Sequence, residues 1–361
     1  MSWFFAFAAF AALIILHEYG HFIAAKSVGM QATRFSLFFP PAIFKFKPKN
    51  SDTSYEIGAI PLGGYVKITG MNPDEEGIPD EDLPKAYFMQ PVWKRVVVIA
   101  AGPAMNVLIA AVLIFILYAF VGVTTGNSTK IAQVNPTSPV AGQIQPGDKL
   151  VSVNGVGGSA AALVEELGKT KCAAKPVNGC VATAPVTVTV QRGDQTQTFR
   201  AVPRYDSSVK RMRLGVSFGT VSTTYSLPSS AKQTADAMWR VTKLTVTLPA
   251  RIFNSQERKQ ISGTAGAYKS TQQAFKKSNA ETVIGIIALI SLSLALINLF
   301  PFLPLDGGHI FWALAEKVRG KRIPVPVLER ASIAGIALIG MLFLIGLSND
   351  IGRFTHGGFG P

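Results

Sequence analysis

The chain has little charge for its length. Of its 361 residues, 16% are charged and 48% are hydrophobic, and the mean hydropathy is +0.30. An average soluble domain carries about 25% charged residues, so this composition argues against an ordinary soluble protein. Acidic residues are the scarcer kind, 21 against 35 Lys and Arg, which gives a formal net charge of +14. Nucleic-acid binding is one explanation for that sign, but the long apolar runs favour contact with anionic lipid headgroups, and no nucleic-acid partner is expected.

Cysteine residues are also scarce, and basic residues are lacking at the N-terminus. Cysteine occurs only at Cys172 and Cys180. A disulfide that closes a short loop and two free thiols both remain open, because spacing alone does not show pairing. A basic segment is absent from the N-terminus, so the first apolar run is not expected to be a cleavable signal peptide.

Four apolar segments are long enough to cross a bilayer, which takes roughly 20 residues. They are residues 2–25, 96–121, 283–300 and 331–347. Basic residues cluster between the first and second segments and in the short connection between the third and fourth. The positive-inside rule places both connections in the cytoplasm, so both termini and the region 122–280 are expected outside it. The sequence therefore predicts a multi-pass α-helical membrane protein.

The first apolar segment contains the HExxH motif HEYGH, formed by His17, Glu18 and His21. Residues i and i+4 share one face of a helix, so both imidazoles can bind one metal ion while Glu18 reaches a water molecule. On a soluble helix, a surface ion pair would be the common explanation. That explanation fails in a membrane span, where charged groups are costly. A zinc hydrolase motif in this position predicts proteolysis inside the bilayer.

A third metal ligand must come from elsewhere, because hydrolytic zinc sites use three protein ligands and a water. Asp306 is the best candidate. It follows two prolines that end the third apolar segment, and irregular backbone at membrane depth occurs where it is buried in protein or lines a cavity. His309 is an alternative ligand, although a structural histidine is the more common case. The predicted Zn²⁺ ligands are therefore His17, His21 and Asp306.

The same residues suggest a reaction. Glu18 would accept a proton from the water that attacks the scissile carbonyl and pass it to the leaving amine. Asn298 is a candidate hydrogen-bond donor to the developing oxyanion, and stabilisation of the helix break is its alternative role. For Asn106, a polar residue in the second segment, an interhelical hydrogen bond is favoured over catalysis.

Residues 35–69 contain short aromatic and β-branched runs separated by proline and glycine, which predicts a membrane-associated β segment. A substrate helix must unwind before cleavage, and unpaired backbone groups are costly in lipid. Residues 55–69 are the candidate strand that pairs with the unwound substrate, an ordinary interfacial hairpin being the alternative. Glycine permits close backbone approach. The predicted substrate-binding residues are Gly58, Ala59, Ile60, Gly63 and Gly64.

The region after the second segment has a different character. Residues 129–203 alternate short strands and turns around a helical stretch at 160–167, which predicts a soluble α+β module of about PDZ size. Residues 231–253 predict an amphipathic helix at the outer surface, a helix packed on the protein being the alternative. Residues 255–279 are polar and predict a loop.

Four motifs occur in a fixed order along nearly the whole chain. They are HEYGH at 17–21, GAIPLGGYVKITGM at 58–71, AAGPAMN at 100–106 and NLFPFLPLDGGH at 298–309. Together they resemble the site-2 protease family of intramembrane zinc metalloproteases, particularly its bacterial sigma-regulating branch. There are two departures from the family pattern. ISGTAGAY at 261–268 replaces a Ser-Gly-Pro-Val-Gly-like segment, and Ser293 stands where many members have an asparagine.

The resemblance implies a bacterial inner-membrane protein with one PDZ domain between the second and third spans. It also implies single-pass membrane protein substrates, commonly anti-sigma factors already cut by another protease. The expected organisation is a membrane core formed by residues 1–121 and 281–361, an extracytoplasmic PDZ-like domain at 122–204, and a linker with an amphipathic helix at 205–280.

The expected function is a zinc metalloendopeptidase that acts in regulated intramembrane proteolysis. One alternative is a noncatalytic PDZ-bearing membrane scaffold or chaperone with a vestigial zinc site. The intact Glu18 argues against it, because a structural zinc ion needs no general base. A second alternative is a protease that clears signal-peptide remnants, which the sequence does not separate from the signalling role.

Overall fold

The computed structural model describes residues 2–49, 51–71, 75, 77–172, 175–247 and 280–355. The chain forms two compact units, Met1–Val121 with Ser226–Pro361, and Gly122–Tyr225. The predicted loop at 255–279, the departure at 261–268 and the end of the predicted amphipathic helix from residue 248 onward lie outside the described residues.

Helices dominate the first unit. They are α1 Ser2–Ser27, α2 Val92–Ile116, α4 Leu227–Val246, α5 Ala280–Asn298, α6 Asp306–Arg319 and α7 Val325–Thr355. A π-helical turn, Leu117–Val121, continues α2. In the described part of the chain, four helical stretches are long and apolar enough to cross a membrane: Phe7–Ser27, Val92–Val121, Ala280–Asn298 and Val325–Gly352. These correspond to the four predicted segments, with the last starting earlier than expected.

Helix α2 is central to this unit, because α1, α4, α5 and α6 all pack on it. Gly20 allows α1 to approach α2 closely, because a Cβ atom added to it would lie 2.5 Å from the carbonyl oxygen of Ala101. An ion pair joins α6 to α2, with Nη1 of Arg95 2.6 Å from Oε2 of Glu316. Because α6 begins at Asp306, this packing holds the start of α6 beside α1 and α2.

Strands β1 (Ala32–Phe46) and β2 (Ser54–Ile68) pair with an unusual register. Arg34 is partnered by both Lys67 and Ser54, and Leu37 by both Gly64 and Ile57. The first part of β1 therefore lies between two separate parts of β2. Residues 64–67 of β2 consequently form one edge of this sheet, and that part of β2 lies against α1.

The second unit is built on an antiparallel sheet with the order β10-β3-β4-β6-β7, with β5 paired to β4. The strands are β3 Val123–Val134, β4 Lys149–Val153, β5 Val156–Gly157, β6 Val186–Arg192, β7 Gln195–Ala201 and β10 Val216–Thr223. A ribbon of β8 (Arg204–Asp206) and β9 (Arg211–Arg213), and one helix, α3 (Ala160–Gly168), complete it. A disulfide joins Cys172 and Cys180, which resolves the alternative left open by the sequence.

The second unit is longer than the sequence suggested. It ends at Tyr225, whereas the expected boundary was residue 204 with a linker after it. The physical reason is that β10 pairs with β3 along its length and that Leu214 is buried in the unit's core. Residues 205–225 are therefore part of the folded unit.

Helix α4 packs on α2 and α5, so it is a packed helix rather than one that lies alone on a surface. Several of its apolar side chains stay exposed, among them Trp239, Leu244 and Val246. The described part of α4 therefore agrees in part with both predictions, the amphipathic surface helix and the packed helix. One face packs against α2 and α5, and another face is exposed.

Candidate metal centre

Three candidate ligand atoms converge between α1 and the start of α6. The Nε2 atoms of His17 and His21 lie 3.2 and 3.4 Å from Oδ2 of Asp306, and 3.3 Å from each other. Both imidazoles are buried, with 6% and 7% of their surface exposed. One helix supplies the two histidines one turn apart, and the break between α5 and α6 places Asp306 opposite them.

The spacing of these atoms fits a zinc ion. Ligands at about 2.0–2.1 Å from one ion with tetrahedral angles are separated by about 3.4 Å. The polarity of the atoms also fits. Nδ1–H of His21 donates to the carbonyl oxygen of Val98 at 2.8 Å, so Nε2 of the neutral ring presents a lone pair to Asp306. Oδ2 of Asp306 is buried and has no hydrogen-bond donor among the described residues. Acceptors that face one another in this way are stabilised by a cation.

A glycine on α2 makes room for the site. A Cβ atom added to Gly102 would collide with the imidazole of His21 at Nε2. Gly102 belongs to the motif AAGPAMN, so that motif packs against the face of α1 that carries His21. Its glycine leaves the space that the imidazole of His21 occupies.

Glu18 lies beside the three ligand atoms. Its carboxylate accepts a hydrogen bond from the backbone N–H of Val66 at 3.1 Å. A cavity of about 400 Å³ is bounded by the ligand set and Glu18 together with Gly63, Gly64 and Asn298. That volume lies within the range of about 300–1,000 Å³ that is usual for ligand sites.

Asn298 and His309 were both considered from the sequence, and both line this cavity. Nδ2 of Asn298 lies 3.5 Å from Nε2 of His17, which places the amide next to the candidate ligands. His309 does not belong to the cluster whose ligand atoms all lie within 4.8 Å of one another in the described chain. The geometry therefore favours Asp306 over His309 as the third ligand.

The predicted substrate-binding residues divide into two groups. Gly63 and Gly64 line the cavity. Gly58 instead pairs with Ala42, close against the carbonyl of Phe39, and Ile60 pairs with Phe39. The binding of substrate by Gly58, Ala59 and Ile60 stays a prediction. None of these three residues lines the cavity. The reason is the register of the sheet, which turns residues 63–66 rather than 58–60 toward the ligand set.

One contact of the site was missed by the sequence reasoning. Nδ2 of Asn106 lies 3.2 Å from Nδ1 of His17, and Asn106 is fully buried. The signal was present in the spacing of Gly102 and Asn106, which are four residues apart and share one face of α2. Ser293, the departure from the family pattern, does not line the cavity.

Comparison with known proteins assigns the chain to a family. The profile of peptidase family M50 matches residues 5–342. A protein of Nostoc sp. whose name contains the words "zinc metalloprotease" is 30% identical over 95% of this chain and 92% of its own length. A similarly named protein of Brucella suis is 28% identical over 94% of this chain and 92% of its own.

Among solved structures, the PDZ domain of an SdrC-like protein from Listeria innocua aligns with 26% of this chain and 93% of its own. The TM-score is 0.21 and the identity 13%.

The chain belongs to peptidase family M50, because the family profile covers nearly all of it. The predictions of a peptidase and of membership in the site-2 protease family are thereby confirmed.

Proposed function

We propose that this protein is a zinc metalloendopeptidase that cleaves the membrane-spanning segments of single-pass proteins. The observation that carries the proposal is the mutual spacing of 3.2–3.4 Å among one carboxylate oxygen and two imidazole nitrogens, next to the carboxylate of Glu18. Two imidazoles and one carboxylate form a ligand set found in hydrolytic zinc sites. The names of the Nostoc and Brucella relatives support zinc as the ion. The location of the set on a candidate membrane-spanning helix supports substrates within the bilayer.

The residues have distinct roles in this proposal. His17, His21 and Asp306 hold the ion, which supplies Lewis acidity and lowers the pKa of water to about 7. Glu18 accepts the proton of the attacking water and returns it to the leaving amine. The amide of Asn298 donates a hydrogen bond to the oxyanion that forms from the scissile carbonyl.

The substrate is held as an added strand. A scissile segment must be extended before its carbonyl is accessible, and its freed backbone groups need partners in a low-dielectric setting. Residues 64–66 of the sheet edge border the cavity, as does Gly63, and the two glycines permit close backbone approach. An extended substrate that pairs with this edge lies next to both Glu18 and the three ligands. This edge lies within the candidate strand at residues 55–69.

The protein is an integral membrane protein of the bacterial inner membrane in this proposal. The basic connections lie in the cytoplasm, and both termini and the second unit lie outside it. Labelling of cysteine variants in sealed cells tests this topology. Lys321→Cys, in the connection between α6 and α7, should be protected from an impermeant thiol reagent, and Asp194→Cys in the second unit should be accessible. Labelling of Lys321→Cys from outside would contradict the topology.

The second unit acts as a PDZ-like docking or size-selecting module. No cluster of three or more candidate metal ligands is found in its described residues, which cover it except for 173 and 174. Its removal should leave cleavage of substrates with short external segments intact and raise cleavage of those with long ones. Loss of cleavage of both kinds of substrate in a folded deletion variant would show that the unit belongs to the catalytic core.

The physiological substrates in this proposal are anti-sigma factors already shortened by another protease. Signal-peptide remnants are the alternative. The discriminating experiment is enrichment of membrane proteins that remain bound to Glu18→Gln, compared with a matched His17→Ala/His21→Ala variant that lacks the metal site. Recovery of truncated anti-sigma factors supports signalling, and recovery of signal-peptide remnants supports clearance. Equal recovery with both variants would favour a noncatalytic scaffold.

A further inference from the structure

Helix α2 contacts both metal-binding imidazoles at their Nδ1 atoms, which are not the atoms that face the ion. Nδ1–H of His21 donates to the backbone carbonyl of Val98, and Nδ1 of His17 meets the side chain of Asn106 at 3.2 Å. Val98, Gly102 and Asn106 are spaced by four residues and so form one stripe along α2. A single helix face therefore supports both histidines, by a backbone group for one and by a side chain for the other.

The hydrogen bond from His21 to the carbonyl of Val98 sets the tautomer of the imidazole. A carbonyl oxygen only accepts hydrogen bonds, so Nδ1 of His21 carries the proton and Nε2 presents its lone pair to the ion. His17 needs the same arrangement, because its Nε2 is the atom that lies 3.2 Å from Asp306. The group next to its Nδ1 must then be an acceptor. An amide nitrogen cannot accept a hydrogen bond, but an amide oxygen can.

The amide of Asn106 can supply that oxygen by a half-turn about its terminal bond. The nitrogen and oxygen of an asparagine have nearly the same shape, so their assignment follows from the hydrogen bonds they make. Oδ1 of Asn106 is buried and has no hydrogen-bond donor in the described part of the chain. Exchange of the two atoms gives this oxygen the Nδ1–H of His17 as its donor.

The position of Asn106 is fixed independently of the histidine. Its backbone carbonyl accepts a hydrogen bond from Oγ of Ser291 on α5 at 2.8 Å, and both residues are fully buried. This bond joins α2 to α5, so the helix–helix contact expected from the sequence is made by the backbone of Asn106. The side chain of Asn106 is therefore available to form a hydrogen bond with His17.

We propose that Asn106 is a positioning residue whose side-chain oxygen accepts the Nδ1–H of His17 and so directs the Nε2 lone pair of His17 at the metal ion. This inference rests on the proposed function, because it assigns His17 as a ligand. An apolar side chain at residue 106 would leave the Nδ1–H of His17 buried without an acceptor. The ring would then favour the tautomer with its proton on Nε2, where the ion must bind.

The test is the zinc affinity of the purified full-length protein in detergent, measured by competition with a fluorescent zinc chelator. Asn106→Leu removes the acceptor and should weaken zinc binding by about 10- to 100-fold, the usual effect of losing the partner of a ligating histidine. Asn106→Asp keeps an acceptor oxygen in place and should bind zinc within about threefold of wild type. Asn106→Ala takes the place of Asn106→Leu if that variant does not fold, as judged by gel filtration.

The outcomes are distinct. Weak binding by Asn106→Leu with near-normal binding by Asn106→Asp supports the inference. Equal loss in both variants would show that residue 106 does not act as an acceptor, and wild-type affinity in Asn106→Leu would show that it does not position His17. Absence of zinc binding by the wild-type protein would instead overturn the proposed function.

Discussion

The carboxylate of Glu18 accepts a hydrogen bond from the backbone N–H of Val66, 3.1 Å away. This bond joins the HExxH helix to the edge strand of the β1–β2 sheet. The proposed general base and the proposed substrate-binding edge are thus in direct contact. A substrate strand on that edge would lie within reach of Glu18.

The first prediction concerns this bond. Val66→Pro removes the N–H donor, and proline is tolerated on an edge strand, so the sheet should persist. Hydrogen bonds to charged groups contribute about 1.5–3 kcal/mol, so kcat should fall by about 10- to 100-fold while zinc content stays unchanged. Val66→Ala keeps the N–H and is the control. Equal turnover in the two variants would show that the edge N–H has no role.

The second prediction concerns the space between Gly102 and the imidazole of His21. In Gly102→Ala the new methyl group would collide with the imidazole ring, so His21 must move away from the ion. We expect zinc content, measured by elemental analysis of the purified protein, to fall severely. The matched control is Gly340→Ala in α7, where an added Cβ meets no atom of the described chain within 4 Å. If Gly102→Ala retains the zinc of the control, the packing of α2 on His21 is not required.

The third prediction separates chemistry from metal binding. Asn298→Ala removes the proposed oxyanion donor, and loss of one such donor lowers kcat by about 10²- to 10³-fold. Zinc content should remain that of wild type. Ser293→Ala, on the same helix but away from the cavity, should retain full turnover. An undiminished kcat in Asn298→Ala would limit Asn298 to a role in ending α5.

The fourth prediction concerns the acid stability of the second unit. Arg192 donates two hydrogen bonds of 2.8 Å to the carboxylate of Asp148, and they hold the pKa of that carboxyl below its ordinary value. Because the folded pKa is the lower one, the stabilisation is fully present above the unfolded pKa of about 3.9. It is lost as the pH falls through the folded pKa.

Thermal unfolding of residues 122–225, which have their own buried core, measures this effect. Above about pH 5, Asp148→Asn should melt at a lower temperature than wild type, and the difference should shrink as the pH is lowered toward about 3. Asp194→Asn, on an exposed turn, should follow wild type throughout. A constant difference between wild type and Asp148→Asn would exclude a titrating contribution from Asp148.

The clustering of His17, His21 and Asp306 could be predicted because its chemistry is local in sequence. His17 and His21 share a helix face by their spacing, and Asp306 lies in a segment whose prolines must break a helix. The edge strand could not be predicted in this way. Gly58 and Gly64 occupy similar surroundings in the sequence, and only the pairing of β1 with two separate parts of β2 decides which of them faces the cavity.

Contacts between residues far apart in the chain also explain the other differences between the predicted and the observed structure. The sequence marks Asn106 as a polar residue in an apolar helix, but its neighbours on α1 and α5 are set by tertiary packing. Strand β10 joins the second unit through pairing with β3, which is about 90 residues away in the chain. Non-local pairing of this kind leaves no local pattern in residues 205–225.

The most direct test of the central claim measures zinc content and substrate cleavage on the same preparations of wild type, Glu18→Gln and Asp306→Asn. The account predicts that wild type binds zinc and cleaves a reconstituted single-pass substrate. Glu18→Gln should keep its zinc and lose cleavage, and Asp306→Asn should lose both. Full cleavage by Glu18→Gln, or unchanged zinc content in Asp306→Asn, would contradict it.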